Sequence, residues 1–145
     1  MKSTAILELM VTDHAKIIRL LADVEHSLGK EVTEVLKVFN TFEWELEKHM
    51  FTEEKAIFTS YSPTNIFEGY PIVPDLMKQH DEISAYLAAM RKAVMWQQPT
   101  PFKEMKDLLL SHKTFEEVSL YPHLDQDLDE KQKNEIISRI RQMVK

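Results

Sequence analysis

Two stretches of the sequence carry the same string of chemically capable residues. His49-Met50-Phe51-Thr52-Glu53-Glu54 and His112-Lys113-Thr114-Phe115-Glu116-Glu117 both read H-x-x-x-E-E, and each runs on to an apolar and an aromatic residue, Ile57-Phe58 and Leu120-Tyr121. Residues four apart share one helix face, so each pair aims an imidazole and a carboxylate into the same space. Upstream, Asp13-His14 and Gln79-His80 align as well, each with an isoleucine three residues on. Each half of the chain therefore offers three ligands, and the set is His14, His49, Glu53, His80, His112 and Glu116. Imidazole is a borderline ligand, carboxylate oxygen is hard, and a glutamate can bridge two cations through its two oxygens, a combination that suits iron. Two histidines per metal and one oxygen from each bridge give four protein bonds apiece. Room is left for an oxo or hydroxo bridge between two iron ions and for an external ligand.

Long helices must position these groups. The first, after a Ser3 or Thr4 cap and ending at Gly29, has the seam Leu7, Met10, His14, Ile17, Leu21, Val24, Leu28. The second begins near Glu31 and carries Val32, Val35, Phe39, Phe42, Leu46, His49, Glu53 and Ala56 inward. Pro63, Asn65, Gly69, Pro71 and Pro74 make residues 61–74 a linker between the two halves. A third helix opens at Pro74-Asp75 with the seam Leu76, His80, Ile83, Leu87, Met90, Val94, and Pro99 halts it. Thr100-Pro101 caps a fourth, with Phe102, Met105, Leu109, His112 and Glu116 inward, ending before Pro122. A last amphipathic helix over about 128–144, capped near Asp127 or Asp129, turns Ile136, Ile140, Met143 and Val144 to one side and covers an edge of the bundle.

Residues at one level of a helical hairpin lie equally far from its turn. The midpoint of His14 and His49 falls just past Gly29, and that of His80 and His112 beside the break at Trp96 to Pro99, so each pair can sit side by side. The expected fold is all-α: an antiparallel up-down four-helix bundle of two repeated hairpins (about 4–60 and 75–121) plus a short C-terminal helix, all in one domain spanning 1–145.

Composition narrows the chemistry. The 145 residues include 43% hydrophobic ones, enough for a real core, and only two glycines and six prolines. Zero cysteines exclude disulfides and every thiolate metal or redox site. A formal net charge of -6 disfavours nucleic acid and anionic membranes as partners. With no signal-peptide core and no 18-residue apolar run, the chain reads as soluble and cytoplasmic.

A single histidine in a helical seam is usually a hydrogen-bonded core residue. Four at one level beside two carboxylates, with no lysine or arginine in those seams, would lose several kcal/mol of hydration uncompensated, and a metal is the natural compensation. His26 and His123 fall outside the repeat and read as surface or loop residues. Glu54 and Glu117 lie one helix step off the seam and read as solvated or as supporting a ligand from behind.

The pattern His, His-x-x-x-Glu, His, His-x-x-x-Glu resembles the hemerythrin family, specifically its HHE-type cation-binding domain, from about Ala5 to Tyr121. The resemblance implies di-iron ligation by His14, His49, Glu53, His80, His112 and Glu116, with the glutamates as bridges. Oxygen-carrying members have a fifth histidine four residues after the third. Here that position is Ser84, read as lying on the same inward stripe as His80, so the likeness is closer to four-histidine relatives implicated in repairing iron centres under nitrosative stress. Those usually carry a cysteine-bearing N-terminal domain, which this sequence lacks. Ferritin-like di-iron proteins use Glu-x-x-His, and no histidine here has glutamate three residues before it.

Three functions compete at this level. One is a di-iron module that binds or senses dioxygen, nitric oxide or peroxide. Another is a di-iron oxidoreductase that reduces nitric oxide or peroxide, or oxidises iron, with electrons from a partner. The third is an interaction bundle with a structural metal.

Overall fold

The computed structural model describes residues 4–58 and 72–143. Among them all regular structure is helical: α1 Ala5–Ser27, α2 Val32–Thr52, α3 Ile72–Met95, α4 Phe102–Phe115, α5 Tyr121–Asp127 and α6 Glu130–Met143. Helix α2 continues without a break into a π-helical turn over Glu53–Ile57, and α4 into another over Glu116–Leu120. Packing runs α1 against α2, α2 against α3, α3 against α4, and α4 back against α1, with α5 laid on α1. None of the described helices is long and apolar enough to cross a membrane.

The buried residues of α1 and α3 climb in steps of three and four, as their apolar spacing requires. In α1 they are Ile6, Met10, His14, Ile17, Leu21, Val24 and Ser27; the end positions Leu7 and Leu28 of the expected seam are only half-buried. In α3 the expected seam is buried throughout. Two apolar clusters result. One gathers Ile17, Leu21, Phe39, Phe42, Leu46, Ile83, Leu87 and Leu109. The other gathers Met10, Ala56, Ile57, Leu76, Leu120 and Tyr121, with Ile136 and Ile140 of α6 closing over it. Between Met10 and Ile17 of α1, and between Leu76 and Ile83 of α3, the seam passes from one cluster to the other through a histidine. The polar layer is thus clamped between two dry ones.

Several boundaries depart from expectation. Helix α3 starts at Ile72 rather than at Pro74-Asp75. Pro122 does not end the fourth helical run, because a first-turn proline needs no N–H partner and α5 begins beside it. No side-chain cap comes from Thr4, whose hydroxyl bonds Glu8. The free N–H groups of Ile6 and Leu7 donate instead to the Asp125 carboxylate at 3.2 and 3.0 Å. Phe102 opens α4 without a Thr100 cap. At α6 the expectation holds: Asp129 Oδ1 accepts from Gln132 N–H at 2.7 Å, and the Gln132 side chain accepts from Asp129 N–H at 3.0 Å, a reciprocal cap. Most of the expected linker, and Ser3 and Val144, lie outside the described residues.

Candidate metal centre

The four seam histidines meet in one layer. The rings of His14 and His49 lie 4.8 Å apart and those of His80 and His112 lie 4.9 Å apart, as equal distance from each hairpin turn demands. Glu53 and Glu116 are fully buried between the pairs. Glu116 Oε1 stands 3.1 Å from both His14 Nε2 and His112 Nε2. Glu53 Oε1 stands 2.9 Å from His80 Nε2, and its Oε2 is 3.8 Å from His49 Nε2. Two overlapping groups arise, His14, His49, Glu53, Glu116 and Glu53, His80, His112, Glu116, each with ligand atoms within 4.8 Å of one another. All six sequence-derived candidates are brought together, and both carboxylates belong to both groups. His26 and His123 are exposed and stand apart.

The two π-helical turns begin at the two central glutamates, a placement the sequence reading missed. Thr52 and Glu53, then Ala56, Ile57 and Phe58, are all buried, more than one face of a regular α-helix can hide. Glu53 keeps the face of His49, its N–H still bonded to the His49 carbonyl, and the widening beyond it, closed by Phe58 N–H on the Glu53 carbonyl, shifts the later seam by a residue. The same string at 112–121 widens in the same place.

Each imidazole is held from behind through Nδ1. His14 donates to Glu117 at 2.8 Å, His80 to Glu54 at 3.0 Å, His49 to Asp13 and His112 to the Gln79 side-chain oxygen. Glu54 and Glu117 therefore support ligands rather than face solvent. Asp13 and Gln79, one residue before the first histidine of each half, were not singled out, although the repeat aligned them. With Nδ1 donating outward, Nε2 is left to present its lone pair inward.

That inward arrangement is unstable by itself. His49 Nε2, His112 Nε2 and both oxygens of Glu116 are buried without a hydrogen bond. Burial pushes His112 down to about 3, and burial with the neighbouring His49 lowers His14. His80 goes the other way: burial opposes its charge, yet carboxylates on both ring nitrogens raise its pKa. A proton on its Nε2 stands where a cation's charge would. Against the cost of burial, the hydrogen bond with His80 and the charges of the neighbouring histidines hold Glu53 below the usual carboxylate range, while burial and the Glu53 charge drive Glu116 well above it. Two adjacent carboxyls cannot both ionise in a dry site without positive charge between them. Cations placed between the lone pairs relieve both problems, so the donor set fits two metal ions.

Tyr121 completes the layer. Its hydroxyl, fully buried, donates to Glu53 Oε2 and lies 3.5 Å from His14 Nε2. Ser84 does not join. It is exposed, whereas Ile83 is buried. The α3 seam steps from His80 by three to Ile83, which carries the fourth residue round to the solvent side, so the expected inward place for Ser84 is corrected. Beside the histidines lies a cavity of about 20 Å³ bordered by His14, His49, His112, Ile17, Leu46, Ile83 and Leu109.

The family model described as hemerythrin HHE cation binding domain matches residues 5–99, which takes in His14, His49, Glu53 and His80 but stops short of α4. No curated protein and no solved structure matches the chain. His112 and Glu116 thus enter the centre on geometry and on the internal repeat.

Proposed function

Because the chain belongs to the hemerythrin HHE cation-binding family, we propose that it is a non-haem di-iron protein that binds or senses a small oxidant, dioxygen, nitric oxide or peroxide. His14 and His49 would hold one iron and His80 and His112 the other, with Glu53 and Glu116 shared between the two. The carrying observation is that His49 Nε2, His112 Nε2 and both Glu116 oxygens are buried without a partner inside two overlapping groups of ligand atoms, a pairing that cations would supply. Iron bound here would supply a reversible one-electron couple and open coordination positions. We read the helix packing as an up-down four-helix bundle in one domain over 1–145, in a cytoplasmic protein whose electron donor, where turnover occurs, is a partner.

The chain's own groups suit a small ligand. The cavity of about 20 Å³ is the size of one water and is lined by aliphatic side chains together with His14, His49, His112 and Lys113, a size that favours a diatomic over a larger substrate. The same cavity favours ligand binding over a purely structural metal. The apolar clusters on both sides keep bulk water from the centre. Tyr121 donates its one hydroxyl proton to Glu53 Oε2 and lies 3.5 Å from His14 Nε2, so it orients the shared carboxylate on the His14 side.

Elemental analysis of the purified protein tests this reading, with two irons per chain expected and a near-ultraviolet charge-transfer band in the ferric form. Stopped-flow mixing of the anaerobically reduced protein with dioxygen, nitric oxide and peroxide separately then identifies the ligand. One zinc per chain, or an iron spectrum indifferent to all three, would sink it.

A further inference from the structure

The two halves of the centre differ in the groups behind the imidazoles. His14 and His49 are backed by two carboxylates, Glu117 and Asp13. His80 and His112 are backed by one carboxylate, Glu54, and one neutral amide, Gln79. Asp13 and Gln79 occupy the same place in the repeat and do the same work, each accepting from Nδ1 of the second histidine of its own half. One carries a full negative charge and the other none. The aromatic ends of the repeat differ in the same sense. Tyr121 brings a hydroxyl to the His14 side, whereas Phe58 offers His80 only a ring face, stacked with centroids 5.5 Å apart.

A carboxylate accepting Nδ1–H leans charge into the ring and makes Nε2 a stronger donor, more so than an amide does. His49 and His112 are both nearly fully buried, and although Asp13 itself is 34% exposed, so that water screens part of its charge, its hydrogen bond to Nδ1 is made on the buried ring. We infer that the His14/His49 position binds a divalent cation more tightly than the His80/His112 position, and that Asp13 against Gln79 sets this order of filling. The inference rests on the dinuclear reading above. At limiting metal supply the chain then holds one ion, on the Tyr121 side, with His80 and His112 still free of metal.

The test is a zinc titration of the metal-free full chain, followed by nitrogen NMR of the labelled imidazoles. In the wild type the Nε2 signals of His14 and His49 should move during the first equivalent, and those of His80 and His112 during the second. Gln79→Glu, isosteric and half-buried, should tighten the later site about 10- to 100-fold, so that both pairs move together. Asp13→Asn should weaken the earlier site by a similar factor, with the same loss of order. Simultaneous movement in the wild type, His80 and His112 moving first, or an order indifferent to both variants, overturns the inference. A final count of two zinc ions in those cases leaves the dinuclear reading standing, whereas a count below two overturns both.

Discussion

Glu117 reaches across the bundle from the π-helical turn after α4 to accept the Nδ1–H of His14 at 2.8 Å. Its repeat partner Glu54 does the same for His80 at 3.0 Å, so each half braces the first histidine of the other. The adjacent residues Glu53 and Glu116 are the central carboxylates, so one Glu-Glu pair per half serves both the centre and its support.

Removing that brace should weaken metal binding without unfolding the bundle. For Glu117→Ala and Glu54→Ala we expect about 10- to 100-fold lower affinity, measured by competition with a chelator, at unchanged helical circular dichroism. Wild-type affinity in both variants would show that the contacts are incidental.

The bridges should matter more than any single histidine. Glu53→Ala or Glu116→Ala removes a ligand shared by both groups and one negative charge from a buried cationic site, whereas His14→Ala touches one group only. Loss of the dinuclear spectrum is expected in both glutamate variants, with about one metal retained in His14→Ala. Equal and mild metal loss in all three would argue against bridging.

Much of this architecture was legible because helical spacing and the internal repeat are local signals. The step of three or four from Met10 through His14 to Ile17, and its echo at Leu76, His80 and Ile83, fixes which way the histidines face. What escaped notice depends on partners distant in sequence. The start of α1 is capped by Asp125, more than a hundred residues away, so a nearby threonine misled. The π-helical turns at Glu53 and Glu116 change the residues per turn locally, which apolar periodicity does not register. Asp13 and Gln79 look like ordinary half-exposed polar residues until the opposite helix is in place.

Acid should act on the metal-free protein through His112 in a definite direction. Burial pushes its folded pKa down to about 3 from an unfolded value near ~6.5, so between these limits the unfolded chain binds the extra proton. Its contribution is complete above the unfolded value and is lost as pH falls toward about 3. Relative to His112→Gln, the metal-free wild type should lose up to ~1.4 kcal/mol per pH unit of acidification in that window, read from urea midpoints. Parallel pH profiles would contradict it, as would an imidazole NMR signal of His112 titrating near the ordinary value.

A second polar assembly holds α6 to the N-terminus of α1. Lys133, fully buried, donates to the Asp125 backbone oxygen at 2.9 Å and sits 3.7 Å from its carboxylate and 3.1 Å from Glu130. Asp125→Ala takes away the cap of α1 and part of the charge facing Lys133, so a loss of about 3 kcal/mol is expected in chemical denaturation. Replacing both, Asp125→Ala with Lys133→Met, should recover part of that loss because no buried cation is left under-compensated. A double variant less stable than Asp125→Ala would show that the lysine is held chiefly by its other partners.

Ser84 decides whether a fifth histidine can be grafted onto this centre. By sequence it stands four residues after His80, where oxygen-carrying relatives place one more ligand, but its side chain faces solvent while Ile83 faces the core. An imidazole introduced at 84 starts about 100° of helix rotation from Ile83 and would have to curl past the α3 backbone to reach the layer. Ser84→His should therefore leave the metal content, the charge-transfer band and the rate of oxidation by dioxygen within experimental scatter of the wild type, and should cost little stability at an exposed helix position. Ile83→His, by contrast, puts a polar ring at the wall of the small cavity, where it should shift the visible spectrum and slow ligand entry. A stable oxygen adduct gained by Ser84→His alone would mean that α3 rotates on metal binding and brings residue 84 inward.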